Sequence, residues 1–454
     1  MQRILIANIT KDTFGIGYDG KLLVSHPFDL KRFANITKNG NNAILMGFNT
    51  FKSIGKKLPE RLNIVITKEH LNDIPQEQDL ISVDSLEKGE QYAIDQNCDN
   101  LFIIGGESIY RQYIENGNYN HMELTISSGY KGPIDTFFPR FDEKMHRIQE
   151  IDVHENLKFI RVSKIENLQE EAYIDLLKEI LENGETRQTR NSETISLFGK
   201  SLSFDLRKGF PLLTTKKVWF KGVAEELLWF LKGDTNVEHL QEKKVKIWNG
   251  NTNREYLDSI SLKHYTVGDA GPIYGFQWRH WNAKYKGCCE NYDRTGIDQL
   301  AQCIQLLNEN PNSRRILMSG WNPEQLPQMS LPPCHVLYQF YLMDGQYLCC
   351  QMYQRSSDVF LGLPFNIAST ALLTTIMSHY CGFKPGTIRI CIGDVHVYKD
   401  HVNVVKEQIE RRGYSFPTFS IKGERPEKIE NYEYSQFLIE DYKFHPKLTA
   451  SMVI

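Results

Sequence analysis

Apolar positions along this chain follow two rhythms, and the change comes near residue 167. Before it, short apolar runs alternate with stretches of helical spacing. Ile4–Ala7, Ala43–Met46, Ile64–Thr67, Leu101–Ile104 and Phe159–Val162 are such runs. Runs this short and continuous predict strands covered on both faces. Between them, Phe28–Ile36 and Ser108–Ile114 have the spacing of helices. The alternation predicts a mostly parallel, twisted sheet flanked by helices. From Gln169 to Leu181 the apolar residues Tyr173, Ile174, Leu177, Ile180 and Leu181 recur at helical spacing, and Gly184 predicts the helix stop. The boundary therefore separates residues 1–166 from 167–454. No Gly/Ser-rich or Pro-rich stretch lies there, so the two domains are expected to be joined tightly.

Composition narrows the class. The 454 residues are 41% hydrophobic and 24% charged, enough for two cores. The formal net charge is −3 and no basic stripe occurs, which argues against nucleic acid as a main partner. The nine cysteines are irregularly spaced with no CxxC pair, so their spacing offers no zinc site. Reduced thiols in a reducing compartment are the simpler reading, and the expected location is the cytoplasm. The apolar start Ile4–Ala7 is too short for a signal-peptide core, and no stretch approaches a membrane span.

Two features of the first region point to chemistry. Gly105-Gly106 follows the run Leu101–Ile104 and opens a helix. Such a junction is either a tight turn or a place where backbone N–H groups and a helix N-terminus meet a phosphate. Asp29 lies among Phe28, Leu30 and Phe33. It is either a helix-capping or solvated first-turn acid, or a carboxyl whose pKa an apolar cleft raises toward neutrality for proton delivery.

These features sit within an ordered series of motifs. It runs Gly15–Gly20, the Asp29 helix, Ile44–Gly47, Thr50–Gly55, Leu58–Arg61, Ile104–Gly106 and Asp135–Pro139. The region resembles the dihydrofolate reductase family. The resemblance implies a pterin pocket of Ile6, Ala7, Asp29, Leu30 and Phe33, with Ile54 and Leu58 opposite. Asp29 would bond the pterin and assist protonation, helped by Thr125, and Arg61 would pair with the folate tail's α-carboxylate. NADPH would lie across Ala7, Ile16, Gly17, Gly47, Thr50, Thr67, Lys68, Gly105, Gly106 and Tyr110. Lys68 would meet the 2′-phosphate, where an NAD site would want an acid. Two departures stand out: Leu22-Leu23-Val24 replaces the family's Pro-Trp, and Phe48 replaces a basic residue after Met46-Gly47.

In the second region Ser330-Leu331-Pro332-Pro333-Cys334-His335 holds a cysteine behind two prolines. It is a structural thiol or a nucleophile; the latter needs a cation such as Arg355 to stabilise the thiolate. Around it lie Gly209–Lys216, Glu226–Asn236, Gly271–Gly275, Ser313–Arg315, Asp358–Asn366 and Gly393–Tyr398. Residues 169–454 resemble the thymidylate synthase family, an α+β domain. The resemblance implies that Cys334 attacks C6 of the uracil of dUMP, which makes C5 nucleophilic toward 5,10-methylenetetrahydrofolate. Asn366 would read the uracil edge, Glu226 would handle protons, and Asp358 and Trp248 would meet the folate. Arg190, Arg355 and Ser356 would hold the phosphate, with Asp358 also at the nucleotide, and His396 and Tyr398 would bond the ribose. Arg314 and Arg315, otherwise a solvated basic pair, would come from a second subunit, which implies a homodimer through this domain. Arg190-Asn191-Ser192-Glu193-Thr194 replaces a glycine-containing loop and puts the acid Glu193 near an anion site. The pair of resemblances implies reductive methylation of dUMP to dTMP, with NADPH-dependent recovery of tetrahydrofolate. It implies no metal.

Overall fold

The structure, a computed structural model, describes residues 1–189 and 192–451. The chain divides into two compact units, residues 1–165 and 166–454.

The first unit runs β1 (Gln2–Thr10), β2 (Gly15–Tyr18), β3 (Lys21–Leu22), α1 (Pro27–Lys38), β4 (Asn42–Gly47), α2 (Phe48–Ile54), β5 (Leu62–Ile66) and β6 (Leu80–Val83). It continues α3 (Leu86–Asp95), β7 (Asn100–Gly105), α4 (Glu107–Glu115), β8 (His121–Ser127), β9 (Thr136–Phe137), β10 (His146–His154) and β11 (Leu157–Lys164). Eight strands form one sheet in the order β10-β11-β8-β1-β7-β4-β5-β6. The pairs from β8 to β6 are all parallel. Only β11 with β8 and β10 with β11 are antiparallel. Parallel strands are covered on both faces. Accordingly Leu5, Leu45, Ile103 and Leu124 pack on one side, and Ile4, Ile6, Ile44, Met46 and Phe102 on the other. The apolar runs are these strands. The shared direction brings the ends of β1, β4, β5 and β7 to one rim, where ligands bind in open α/β sheets.

The second unit begins with α5 (Leu168–Asn183), β12 (Glu185–Gln188), β13 (Glu193–Asp205) and α6 (Phe220–Leu231). Short helices α7 (Glu238–Glu242), α8 (Asn249–Thr252), α9 (Arg254–Ser259) and α10 (Tyr274–His280) follow, then α11 (Gln299–Glu309) and β14 (Leu317–Ser319). The remainder is β15 (His335–Met343), β16 (Tyr347–Asp358), α12 (Gly362–Cys381), β17 (Lys384–Tyr398), α13 (Val402–Glu410), β18 (Thr418–Ile421) and β19 (Phe437–Glu440). Six strands form a mixed sheet, β12-β13-β17-β16-β15-β14, in which only β16 and β17 run parallel. α12 packs on β16 and β17 and is buried along most of its length. Its inward hydroxyls are satisfied within the helix: Thr370 donates to Asn366 O at 2.8 Å and Thr374 to Thr370 O at 2.7 Å.

α5 ends at the predicted glycine for a different reason from the one the sequence suggested. Gly184 has φ −73°, extended rather than left-handed. A Cβ there would lie 2.4 Å from Ile180 O and 2.6 Å from Ile195 Cγ2, so what the position requires is space. Among the described residues no helix is long and apolar enough to cross a membrane.

Candidate active sites

The first site grows from the β1–β8 pairing. Their register sets Asn8 opposite Thr125. Asp29, in the first turn of α1, receives Thr125 Oγ1 at 2.6 Å on one oxygen and Asn8 Nδ2 at 2.9 Å on the other. Ser127 donates to Asn8 Oδ1 at 2.7 Å and fixes that amide's orientation. The helix cap is His26, not Asp29. Asp29 is half-buried, so it faces a partly open cleft rather than a sealed one. Asn8 gives one weak signal in the sequence, a polar residue ending an apolar run.

Ile6 belongs to the apolar cluster on one sheet face, and Phe33, Ile54 and Leu58 pack against it, so these wall residues are gathered together. Leu30, by contrast, is 47% exposed. Arg61 is only 6% exposed. It donates to Pro59 O at 2.9 Å and to Thr37 Oγ1. Burial lowers its pKa against a smaller pull from the Glu60 carboxylate, and among the described residues it makes no close ion pair. A buried guanidinium without a close anion suits the carboxylate of an incoming ligand.

The residues expected at NADPH lie on the rim. Gly47 caps α2 and Gly106 caps α4, both without a side-chain cap bond. A Cβ on Gly47 would sit 3.8 Å from Gly106 N, so the two glycine turns adjoin. Glycine turns with uncapped helix starts fit a pyrophosphate. Ala7 and Ile16 pack at the edge of the neighbouring core, with Gly17 beside Ile16 on β2. Gly106 faces Thr50: a Cβ there would meet Thr50 Oγ1 at 3.4 Å. Thr67 is buried, its hydroxyl accepting His70 N at 3.1 Å, while Lys68 is exposed. Tyr110 also braces the turn: its hydroxyl donates to Ile6 O at 2.7 Å, and its ring lies under Gly105. It supports the turn and offers no free hydroxyl to a ligand. Phe48 stacks on His70 with ring centres 4.0 Å apart, giving an aromatic surface where the family has a cation.

The second site forms around the Pro332-Pro333-Cys334 loop. Cys334 N donates to the Tyr274 hydroxyl at 2.8 Å. Arg355 donates to Pro333 O and Pro332 O, both at 2.9 Å, and its Nη2 reaches Cys334 Sγ at 3.8 Å. One arginine thus holds the loop and faces the sulfur. Burial pushes the Cys334 thiol up; Arg355 pulls it back without overcoming that shift. The expected thiolate stabilisation is present but is not dominant. Glu226 on α6 receives Trp248 Nε1 at 2.7 Å, and burial pushes its carboxyl up to about 7. Trp248, 6% exposed, therefore orients Glu226 as well as lining the space beside it.

Asn366 opens toward the same region. Its Oδ1 accepts Gln354 Nε2 at 2.8 Å, and Gln354 also bonds Ser356 O at 3.1 Å. Gln354 Oε1 is buried without a hydrogen-bond partner among the described residues, an acceptor suited to a ligand. Asp358 Oδ1 accepts Phe360 N and Leu361 N at 2.9 and 3.1 Å, so one oxygen secures the entry to α12. His396 pairs with Asp394 at 2.7 Å, and its ring lies 5.2 Å from that of Tyr398. Gln354, Tyr274 and Asp394 carried no signal for these supporting roles beyond their place in motifs.

Arg314 and Arg315 are exposed, and neither pairs with an acid among the described residues. Arg190 lies outside the described residues. Glu193 is not a bare acid beside an anion site: Lys399 Nζ meets it at 2.8 Å and neutralises it. The sequence could not show that pairing, because the partners are far apart along the chain.

Comparison with known proteins agrees with both family resemblances. The dihydrofolate reductase family model matches residues 3–162, and the thymidylate synthase family model matches residues 171–454. The class is thus a two-activity folate enzyme. The chain is 40% identical to the bifunctional dihydrofolate reductase-thymidylate synthase of Paramecium tetraurelia over 458 residues, covering 97% of this chain and 96% of that one. It is 38% identical to bifunctional dihydrofolate reductase-thymidylate synthase 1 of Arabidopsis thaliana, covering 99% and 96%. It is 49% identical to the thymidylate synthase of Saccharomyces cerevisiae, covering 63% of this chain and 98% of that one. The chain belongs to the bifunctional dihydrofolate reductase-thymidylate synthase family. It is an oxidoreductase and a methyltransferase in dTMP biosynthesis, using NADPH and 5,10-methylenetetrahydrofolate.

Proposed function

We propose that Cys334, Glu226 and Asn366 carry the synthase chemistry on dUMP, and that Asp29 carries proton delivery in the reductase. The observation that supports this most is the Cys334 loop, in which Arg355 holds both proline carbonyls and faces the sulfur. Cys334 is the nucleophile toward C6 of the uracil, and Arg355 steadies its thiolate as it forms. Glu226, with its carboxyl at about 7, exchanges protons near neutral pH. Asn366, oriented by Gln354, presents its amide N–H to the uracil edge. Ser356, Arg355 and Arg190 meet the phosphate, His396 and Tyr398 the ribose, and Asp358 and Trp248 the folate. When bound, NADPH supplies a hydride and 5,10-methylenetetrahydrofolate a carbon unit with its hydride. In the reductase Asp29 holds and passes a proton with Thr125 and Asn8 as its partners. Arg61 binds the folate tail, and Lys68 binds a cofactor phosphate.

The synthase unit works as a homodimer. Leu317, Tyr341 and Tyr353 lie on one sheet face by register and are 41%, 69% and 42% exposed. An apolar face of this kind suits a second copy. All nine cysteines are free, which supports a reducing, cytoplasmic setting. One assay tests the function: dUMP, methylenetetrahydrofolate and NADPH together should give dTMP with NADPH oxidation. Omission of dUMP should stop both. dTMP formation without NADPH oxidation would remove the reductase role. Light scattering should give twice the 52.7 kDa chain mass; a monomer would overturn the dimer.

A further inference from the structure

We propose that His26, His154 and Glu155, in the first unit, form a binding site for a divalent transition-metal ion, best matched by Zn2+. One ligand atom from each lies within 4.8 Å of the others. Glu155 lies between the two imidazoles: its Oε2 is 3.5 Å from His26 Nε2 and its Oε1 3.9 Å from His154 Nε2. Two imidazoles and a carboxylate are a borderline donor set suited to Zn2+, which binds such atoms at about 2.0–2.2 Å. Closing around an ion needs the three atoms to contract by about an ångström, and the hairpin tip that carries His154 and Glu155 can supply part of it. Glu155 is the tip residue of the β10–β11 hairpin, with φ +53°, and its side chain is 68% exposed. The imidazoles are better fixed. His154 stacks on Phe28 with ring centres 4.2 Å apart, and His26 caps α1 ahead of Pro27. Side-chain exposures of 25% and 39% at the histidines leave room for a water as fourth ligand.

One exchange accompanies binding. His26 Nδ1 accepts Phe28 N at 3.2 Å, so the neutral ring carries its proton on Nε2. Coordination through Nε2 moves that proton to Nδ1 and gives up this long cap bond. The bound ion then ties the start of α1 to a hairpin 128 positions further along the chain. Because α1 carries Asp29, the site is a clamp on the reductase helix. No sequence spacing reveals it, since only Glu155 and His154 are neighbours.

The test uses the full chain with Co2+ as probe. One equivalent should produce visible d–d absorption, displaced by Zn2+, with no sulfur-to-cobalt charge transfer. His154→Ala and His26→Ala should lose the band, and Glu155→Gln should weaken binding at least about tenfold. The metal-free His154→Ala protein should reduce dihydrofolate normally, which shows that it is folded. Zn2+ should raise the melting temperature of the unmutated chain and not that of His154→Ala. Unchanged binding in folded His154→Ala would overturn the proposal. So would a strong thiolate charge-transfer band, which would assign the ion to Cys288 and Cys289, whose sulfurs lie 3.8 Å apart.

Discussion

Asp29 in the reductase unit and Glu226 in the synthase unit each sit on a helix beside an apolar wall, yet they are held in opposite ways. Asp29 is half-buried and both its oxygens receive polar donors, Thr125 and Asn8. Glu226 has the Trp248 indole N–H on one oxygen, and burial raises its carboxyl to about 7. The cations proposed for phosphate differ as well. Lys68 belongs to the same unit as the glycine rim it would serve, whereas Arg314 and Arg315 stand exposed without acid partners among the described residues. The reductase is built to position a group within one unit. The synthase site withholds charge until ligands and, on the proposed homodimer, a second subunit arrive.

The largest effect that tests this contrast is Cys334→Ser. dTMP formation should fall by at least about a thousandfold, since removing a nucleophile that acts as part of a unit abolishes most catalysis. Dihydrofolate reduction measured on the same sample should persist. Residual dTMP synthesis at ordinary rates would move the nucleophile elsewhere. Next, Asp29→Asn keeps the side-chain shape and removes the ionisable group. Reduction at neutral pH should drop about a hundredfold or more, with the synthase intact. Superimposable pH–rate profiles for variant and unmutated protein would show that Asp29 is not the titrating group.

Subunit mixing sharpens the second half of the comparison. Cys334→Ser chains retain Arg314 and Arg315; chains with Arg314→Ala and Arg315→Ala retain Cys334. Each homodimer should be poor, because each lost charge-assisted phosphate bond is worth about 1.5–3 kcal/mol. Random exchange makes about half the dimers mixed, each with one intact site, so activity should recover toward about a quarter. Verified exchange without recovery would place the arginines in their own chain's site.

The smallest effect concerns stability. A carboxyl raised from 4.5 to about 7 contributes stability that is complete below pH 4.5 and is lost as pH rises through 7. Glu226→Gln has no such loss. Relative to the unmutated chain it should gain up to about 3 kcal/mol between pH 4 and pH 8. Urea unfolding at those two pH values measures the difference, and a pH-independent difference would mean that Glu226 is not held neutral.

Much of this was legible in the sequence, for a physical reason. Parallel strands buried on both faces write themselves as uninterrupted apolar runs, so Ala43–Met46 and Leu101–Ile104 mark the sheet directly. Glycine turns and Cys334 announce themselves through residue type. Pairings across sequence distance do not. Lys399 against Glu193 and Asn8 against Asp29 need the fold to bring them together. Tyr110 shows the same limit: residue type places it beside Gly105-Gly106, but only the fold shows its hydroxyl donating to Ile6 O.

The junction between the units has a practical consequence for dissecting them. Each residue there is already committed to one side. Ile165 N donates to Met145 O at 2.9 Å, Glu166 pairs with Arg412 at 2.9 Å, and Asn167 caps α5 while its Nδ2 bonds Tyr414 O at 2.9 Å. A synthase fragment cut to begin at Glu166 keeps the ion pair and the cap. One trimmed two residues further, to Leu168, loses both, and the missing cap alone should lower its stability by about 1 kcal/mol. Surgery on this chain therefore tolerates almost no drift in the incision.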